Sequence, residues 1–243
     1  AKGTQGEYSI LTSRLGGANY KVSANSKEIV NLFEVSEEQE YDENTGQENT
    51  VLHLIEKISI ISGILVTMIT YGKKEQPTFQ EATVMEAIIE DIVAYLFEIR
   101  GIRDGEPESL YAATAGYTKK PLPTITEFYI EVLKRQKRNT YEHHTRGYAL
   151  ILDGLKKYVR ELYYVPDIVK ILTGEEYNQL PMDNEGHRYY EMEDGEQRDV
   201  IAIRGTRPFY DGQSTIKVDL DTPAINIDVS QLPENDRPLG LVI

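Results

Sequence analysis

Apolar residues recur at three- and four-residue spacing through the middle of this chain, and that period predicts helices. Between 78 and 99, Met85, Ile88, Ile89, Ile92, Leu96 and Ile99 line one face, while Glu81, Glu86, Glu90, Asp91 and Glu98 take other positions. An amphipathic helix is expected there, with Gly101 as its stop. The longest apolar run, Ile58 to Tyr71, contains Ser59, Ser62, Gly63 and Thr67 and is flanked by lysines. It falls short of the ~20 apolar residues that span a bilayer, so Val51 to Tyr71 reads as a buried helix of a soluble core. After Pro121 and Pro123, Thr124 stands three residues before Glu127 and ahead of Phe128, Ile130, Val132 and Leu133. This capping box predicts a helix starting at Thr124. Further helices are expected over about Thr145 to Leu162, and after Pro166 through Ile168 and Ile171. From roughly 50 to 175 the pattern implies at least four helices and no strand.

The ends differ. Glu7 to Leu15 predicts a short helix stopped by Gly16 and Gly17, followed by extended segments at Tyr20 to Ser23 and Ile29 to Val35. Near the other end, Val200 to Arg204, Thr215 to Leu220 and Ala224 to Val229 read as strands; Ile225, Ile227 and Val229 alternate with Asn226 and Asp228. Strand-bearing ends around a helical middle are what a helical insertion in an α/β domain would give, because the flanks must rejoin in one sheet. The boundaries drawn from this pattern are 1–48, 49–180 and 181–243. Asp236, Arg237 and Pro238 lead into Leu239 to Ile243, an apolar run that ends inside an element and implies a chain continuing in a longer protein. The start has Ala first and no basic stretch before an apolar core, so no signal peptide is expected there.

Composition narrows the classes. The 243 residues are 40% hydrophobic and 27% charged, enough for a real core in one large or two small domains. There is no Cys, which excludes disulfides, thiolate metal sites and a Cys nucleophile. With 26 Lys+Arg against 40 Asp+Glu, the net charge is −14, so nucleic-acid binding would need a local basic patch. Much of the acidity falls in Glu34 to Glu48 and Met182 to Asp199. Neither stretch has acids at positions 1, 3 and 5 before a Gly at 6, so both read as solvated loops and not as EF-hands.

Most chemical motifs fail on spacing. Gly72-Lys73 has Thr67 where a P-loop needs its first Gly, and no Gly-x-Ser-x-Gly occurs. Asp153 and Asp228 end runs that superficially resemble a Walker B strand, but Asp153 falls on an expected helix and Val229 follows Asp228. His143 and His144 are adjacent and would diverge on a helix, which suits surface positions better than a metal site. The one basic concentration is Lys119 to Arg160, whose Lys134, Arg135, Lys137 and Arg138 lie among Tyr129, Tyr141 and Tyr148. A solvated face balancing the acidic loops is the simpler reading; contact with single-stranded nucleic acid is the functional one.

Read in order, several short motifs carry a resemblance. Gly6-Glu7-Tyr8, Leu15-Gly16-Gly17 and Asn31-Leu32-Phe33 are followed, far along the chain, by Phe209-Tyr210-Asp211-Gly212-Gln213-Ser214, Val218-Asp219-Leu220, Ile227-Asp228-Val229-Ser230-Gln231-Leu232-Pro233 and Arg237-Pro238-Leu239. Between them stands Leu122-Pro123-Thr124-Ile125-Thr126-Glu127-Phe128-Tyr129. This series resembles the segment between Walker A and Walker B in the large ATPase of conjugation and type IV secretion machines. Leu32 stands where that family has Pro, and Tyr163 to Arg207 is longer. The resemblance implies a mostly α chain with a smaller α/β part, a helical insertion domain flanked by pieces of an incomplete RecA-like core. It also implies an intact parent that is hexameric, uses ATP and Mg, powers DNA or protein transfer, and works in the cytoplasm at the inner face of the membrane. No cofactor and no catalytic, nucleotide-binding or metal residue is expected in this chain; Gly6, Glu7, Tyr8, Asp211, Gly212 and Asp228 are its family-motif positions. Two other readings are a nucleic-acid-contacting helical module using Lys119 to Arg160, and an acidic scaffold unrelated to a motor.

Overall fold

The computed structural model describes residues 4–21, 28–42, 46–71, 73, 75–113, 118–215 and 223–228. In chain order these form α1 (Thr4–Arg14), β1 (Ala18–Lys21), β2 (Glu38–Asp42), β3 (Gln47–Val51), α2 (Leu54–Thr70) and α3 (Phe79–Glu98). There follow α4 (Ile125–Arg138), α5 (Glu142–Leu155), β4 (Leu162–Val165), β5 (Lys170–Leu172), α6 (Gly174–Gln179), β6 (Tyr189–Glu191), β7 (Gln197–Asp199), β8 (Ile201–Ile203) and β9 (Ile225–Asp228). The chain is a helix-rich α/β fold with small sheets.

Local chemistry starts the helices where the pattern places them. Thr78 accepts from the Glu81 backbone at 3.3 Å while the Glu81 carboxylate accepts from the Thr78 backbone at 2.8 Å, closing a capping box at the head of α3. The same reciprocal pair opens α4 at Thr124 and Glu127 and opens α6 at Thr173 and Glu176. Glu127 also accepts from Arg100 at 2.5 Å, which ties the end of α3 to the start of α4.

Helices α2 to α5 build the main core. Leu65, Met68 and Ile69 of α2, Met85, Ile89, Ile92 and Phe97 of α3, Phe128 and Val132 of α4, and Ile151 and Leu155 of α5 belong to one buried cluster. Helix α2 is not buried all round, since Ile55 and Ile60 face solvent. Helix α5 touches α2, α3 and α4. It reaches α2 closely because Gly154 has no side chain: a Cβ there would lie 2.8 Å from the Ile69 Cα.

Several expectations are corrected. Thr145 to Leu162 is not one helix: α5 ends at Leu155, and Leu162 to Val165 is β4, the centre of the antiparallel sheet β5-β4-β8. The stretch after Pro166 is a turn and β5, not a helix, so the middle of the chain does hold strands. β4 is buried on both faces, so its sequence is a continuous apolar run without alternation, which periodicity cannot tell from a helix. The two acidic stretches, expected as solvated loops, each hold an antiparallel strand pair among their described residues, β2 with β3 and β6 with β7. The segment at Ile29 to Val35 is irregular; it pairs through Val30 N to the Phe209 carbonyl at 3.0 Å and buries Leu32, Phe33 and Val35. Residues 216–220 of the expected strand from Thr215, and the run from Asp236 to Ile243, lie outside the described residues.

The ends meet. β1 pairs with β9 in parallel, Ala18 opposite Ile225 and Lys21 opposite Asp228. Gly17 makes the approach possible, since a Cβ there would sit 2.1 Å from the Ala224 carbonyl oxygen. Ala18 N then donates to that oxygen at 2.9 Å.

The glycines of the helical core make opposite predictions. Gly154→Ala should destabilise the protein by about 1–3 kcal/mol through overpacking against Ile69. Gly63→Ala, on α2 with nothing within 4 Å of the added methyl, should stabilise it by up to about 1 kcal/mol. Urea denaturation midpoints of the two variants check both signs.

Candidate functional site

Segments far apart in sequence converge beside the start of α4. The Asp211 carboxylate is buried; it accepts from the Thr126 backbone at 2.9 Å, from the Thr126 hydroxyl, and from the Arg160 backbone at 2.7 Å. A buried charge is tolerable only with such donors, and the N-terminal turn of α4 adds its dipole. Gln213 grips Leu122 at two points, accepting from its N–H at 3.0 Å and donating to its carbonyl at 2.7 Å. Asn31, also buried, donates from its side chain to the Pro123 carbonyl at 3.0 Å and accepts from the Phe33 N–H at 3.0 Å. Ser214 accepts from the Asn31 backbone at 3.0 Å. These polar groups are used up in joining the chain, so this cluster works as a staple and not as a reactive centre.

The family-motif residues thus fall into two groups. Asp211 and Gly212 belong to the staple. Gly6, Glu7 and the exposed Tyr8 lie on α1, which packs on β1 and on the strand β9 that ends at the half-buried Asp228. Asn226 of that strand donates to the Ser9 hydroxyl at 3.2 Å.

The basic concentration also divides. Arg135 is engaged three ways: its Nε donates to Glu131 at 3.0 Å, it pairs with Asp91, and its guanidinium lies 5.1 Å from the Tyr95 ring centre. Lys119 pairs with Glu34, Arg146 with Glu81, and Lys120 donates to the Arg100 carbonyl past the end of α3. Lys134, Lys137 and Arg138 are exposed toward the end of α4, and Lys156 caps α5. Among the described residues none of these four is in an ion pair. His143 and His144 sit in the first turn of α5, ring edge to ring face at 4.5 Å.

Between the C-terminal turns of α4 and α5 and the β4–β5 turn lies a cleft of about 430 Å³, within the ~300–1,000 Å³ of small-molecule sites. Tyr129, Leu133, Lys137, Lys156, Tyr164 and Val169 line it, with Asp153 at one side. Lys73 donates to Asp153 at 2.9 Å, and that hydrogen bond, with the lysine charge, holds the Asp153 carboxyl below the usual carboxylate range. Burial pushes the Tyr129 phenol far above its ordinary value, helped by Tyr164 and Asp153, and burial likewise raises Tyr164. Val169 closes the β4–β5 turn at φ 50°, a left-handed conformation rare for a β-branched residue. The sequence singles out Lys137 but not Tyr164 or Val169, because nothing local announces that these positions share a wall with α4.

Comparison with protein-family models, with curated proteins and with solved structures found no match. Among the described residues no group of three or more His, Asp or Glu side chains is placed to hold a metal ion. No helix among them is long and apolar enough to cross a membrane.

Tyr129 and Tyr164 contribute to the alkaline behaviour. Their folded-state pKa values are raised, so their contribution is fully present below the unfolded value of about 10 and is lost as pH rises above it. Thermal melts from pH 8 to 11 should show stability falling through the upper part of that range, and Tyr129→Phe should make the fall shallower. Separately, Asp211→Ala should cost about 2–4 kcal/mol by orphaning the Thr126 and Arg160 donors, read from the urea midpoint.

Proposed function

We propose that this chain is a segment of a conjugative-transfer, type IV secretion ATPase, a helical domain carried on part of a RecA-like core. The observation that carries this reading is the parallel pair of β1 and β9. Parallel neighbours need a crossover connection, and here the whole helical region forms it, as an insertion into an α/β core requires. The ordered motifs add support, since Asn31, Asp211 and Gln213 serve as the staple where that insertion leaves its flanks.

The segment supplies subunit or partner contacts, and the chemistry lies elsewhere in the intact protein. Phosphoryl transfer needs a phosphate-cradling loop with its Lys and an acid that holds Mg. The residues present do not fit either group: the only Gly-Lys lacks the preceding glycine, and the described residues offer no acidic cluster for a metal. The chain alone is therefore expected neither to bind ATP tightly nor to hydrolyse it. In the intact machine the partners would be other subunits, in a hexamer at the inner face of the cell membrane.

A second reading, contact with nucleic acid, is favoured by the exposure of Lys134, Lys137 and Arg138 without ion partners among the described residues. Arg135 contributes to the fold instead.

The gene on either side of this segment tests the first reading. A Walker A motif upstream of Ala1 and a Walker B motif shortly after Ile243 are the expected result, and a reading frame without them overturns it in favour of an unrelated acidic scaffold. For the second, single-stranded DNA binding should weaken with salt and its salt slope should drop when Lys134, Lys137 and Arg138 are changed to Ala. Equal slopes for wild type and variant would remove that contact.

A further inference from the structure

We infer that the cleft between α4, α5 and the β4–β5 turn is a binding site for a phosphate group. This goes beyond the motor reading and stands or falls separately from it. Tyr129 and Tyr164 are 3% and 7% exposed, both line the cleft, and neither hydroxyl has a hydrogen-bond partner among the described residues. Their hydroxyl oxygens do not belong to the buried polar atoms that lack partners, so they open into the cleft, where both donors are free to meet an acceptor. A phenol is protonated at neutral pH, and burial moves both further in that direction, so both present O–H donors. Lys137 and Lys156 flank them, and the Gln136 amide adds a further donor.

Charge balance selects the ligand. Asp153 faces the same cleft; Lys73 pairs with it from the adjoining depression and Lys156 also lies within its field, so with Lys137 the three lysines exceed this one carboxylate by two charges. A phosphate monoester carries close to two negative charges and three terminal oxygens, which matches two ammonium groups and two phenols. A carboxylate would leave one lysine unbalanced. The apolar wall of Leu133, Leu152, Pro166 and Val169 can hold whatever the phosphate is attached to.

The phosphate can belong to a small monoester or to the end of a nucleic-acid strand. Lys134 and Arg138 are exposed on the same helix but outside the cleft, so only a polymer could reach them as well.

The test titrates phenyl phosphate and benzoate directly into the intact chain by isothermal titration calorimetry, and in parallel follows octathymidylate labelled at its 3′ end, with and without a 5′-phosphate, by fluorescence polarisation. Phenyl phosphate should bind and benzoate should bind at least about fivefold more weakly. Tyr129→Phe and Tyr164→Phe, near-isosteric changes, should each weaken phenyl phosphate about three- to tenfold at unchanged melting temperature. Lys137→Ala with Lys156→Ala should abolish it. A 5′-phosphate that raises oligonucleotide affinity assigns the site to strand ends, and phenyl phosphate binding without that gain assigns it to small monoesters. Benzoate binding as well as phenyl phosphate, phenylalanine variants binding as wild type, or no phenyl phosphate binding at all would each overturn the inference.

Discussion

The buried Asp211 carboxylate holds together segments that nothing local would keep in register. It takes hydrogen bonds from Thr126, at a separation of 85 residues, and from Arg160, at 51. An ionised group out of water is costly, so its position is tolerable only while all of those donors surround it. That condition ties the start of α4, the exit from α5 and the chain returning toward β9 to one point. Gln213 and Asn31 repeat the logic with neutral amides, each meeting backbone groups near Pro123 that would otherwise lack partners.

With the head of α4 anchored there, the remaining freedom of the bundle lies in how closely its helices approach. Gly154 lets α5 sit against the backbone of α2 at Ile69, and the Arg100–Glu127 pair holds α3 to α4. The C-terminal turns of α4 and α5 then end beside β4 and its turn, and the space they leave is the cleft. The lysines there are where helix C-termini favour cations, so they serve the fold's electrostatics before any ligand arrives. Asp153 would make the cleft less basic were it not already committed to Lys73. The uncompensated charge of the cleft is thus a property of pairing across the bundle and not of residue counts.

Features that depend on neighbours three or four residues away were legible before folding. Thr78 with Glu81 and Thr124 with Glu127 fix helix starts, because both members of a capping box belong to one turn. The apolar stripe of α3 declares its buried face, and Gly16 ends α1 by taking φ 77°. Other features exist only in the packed chain. Leu162 to Val165 is a strand because β5 and β8 satisfy its two edges, and β8 lies some forty residues further on. Glu34 to Glu48 and Met182 to Asp199 are charged enough to read as loops, but cross-strand hydrogen bonds pair β2 with β3 and β6 with β7 within them. Arg135 reads as one of four equivalent bases until folding brings Asp91 and Tyr95 beside it. Tyr129 and Tyr164, distant along the chain, come to line one cavity only in the folded chain. The physical reason is the same each time: short-range hydrogen bonds and periodicity are written in consecutive residues, whereas burial and charge compensation depend on which distant groups the packed chain brings into contact.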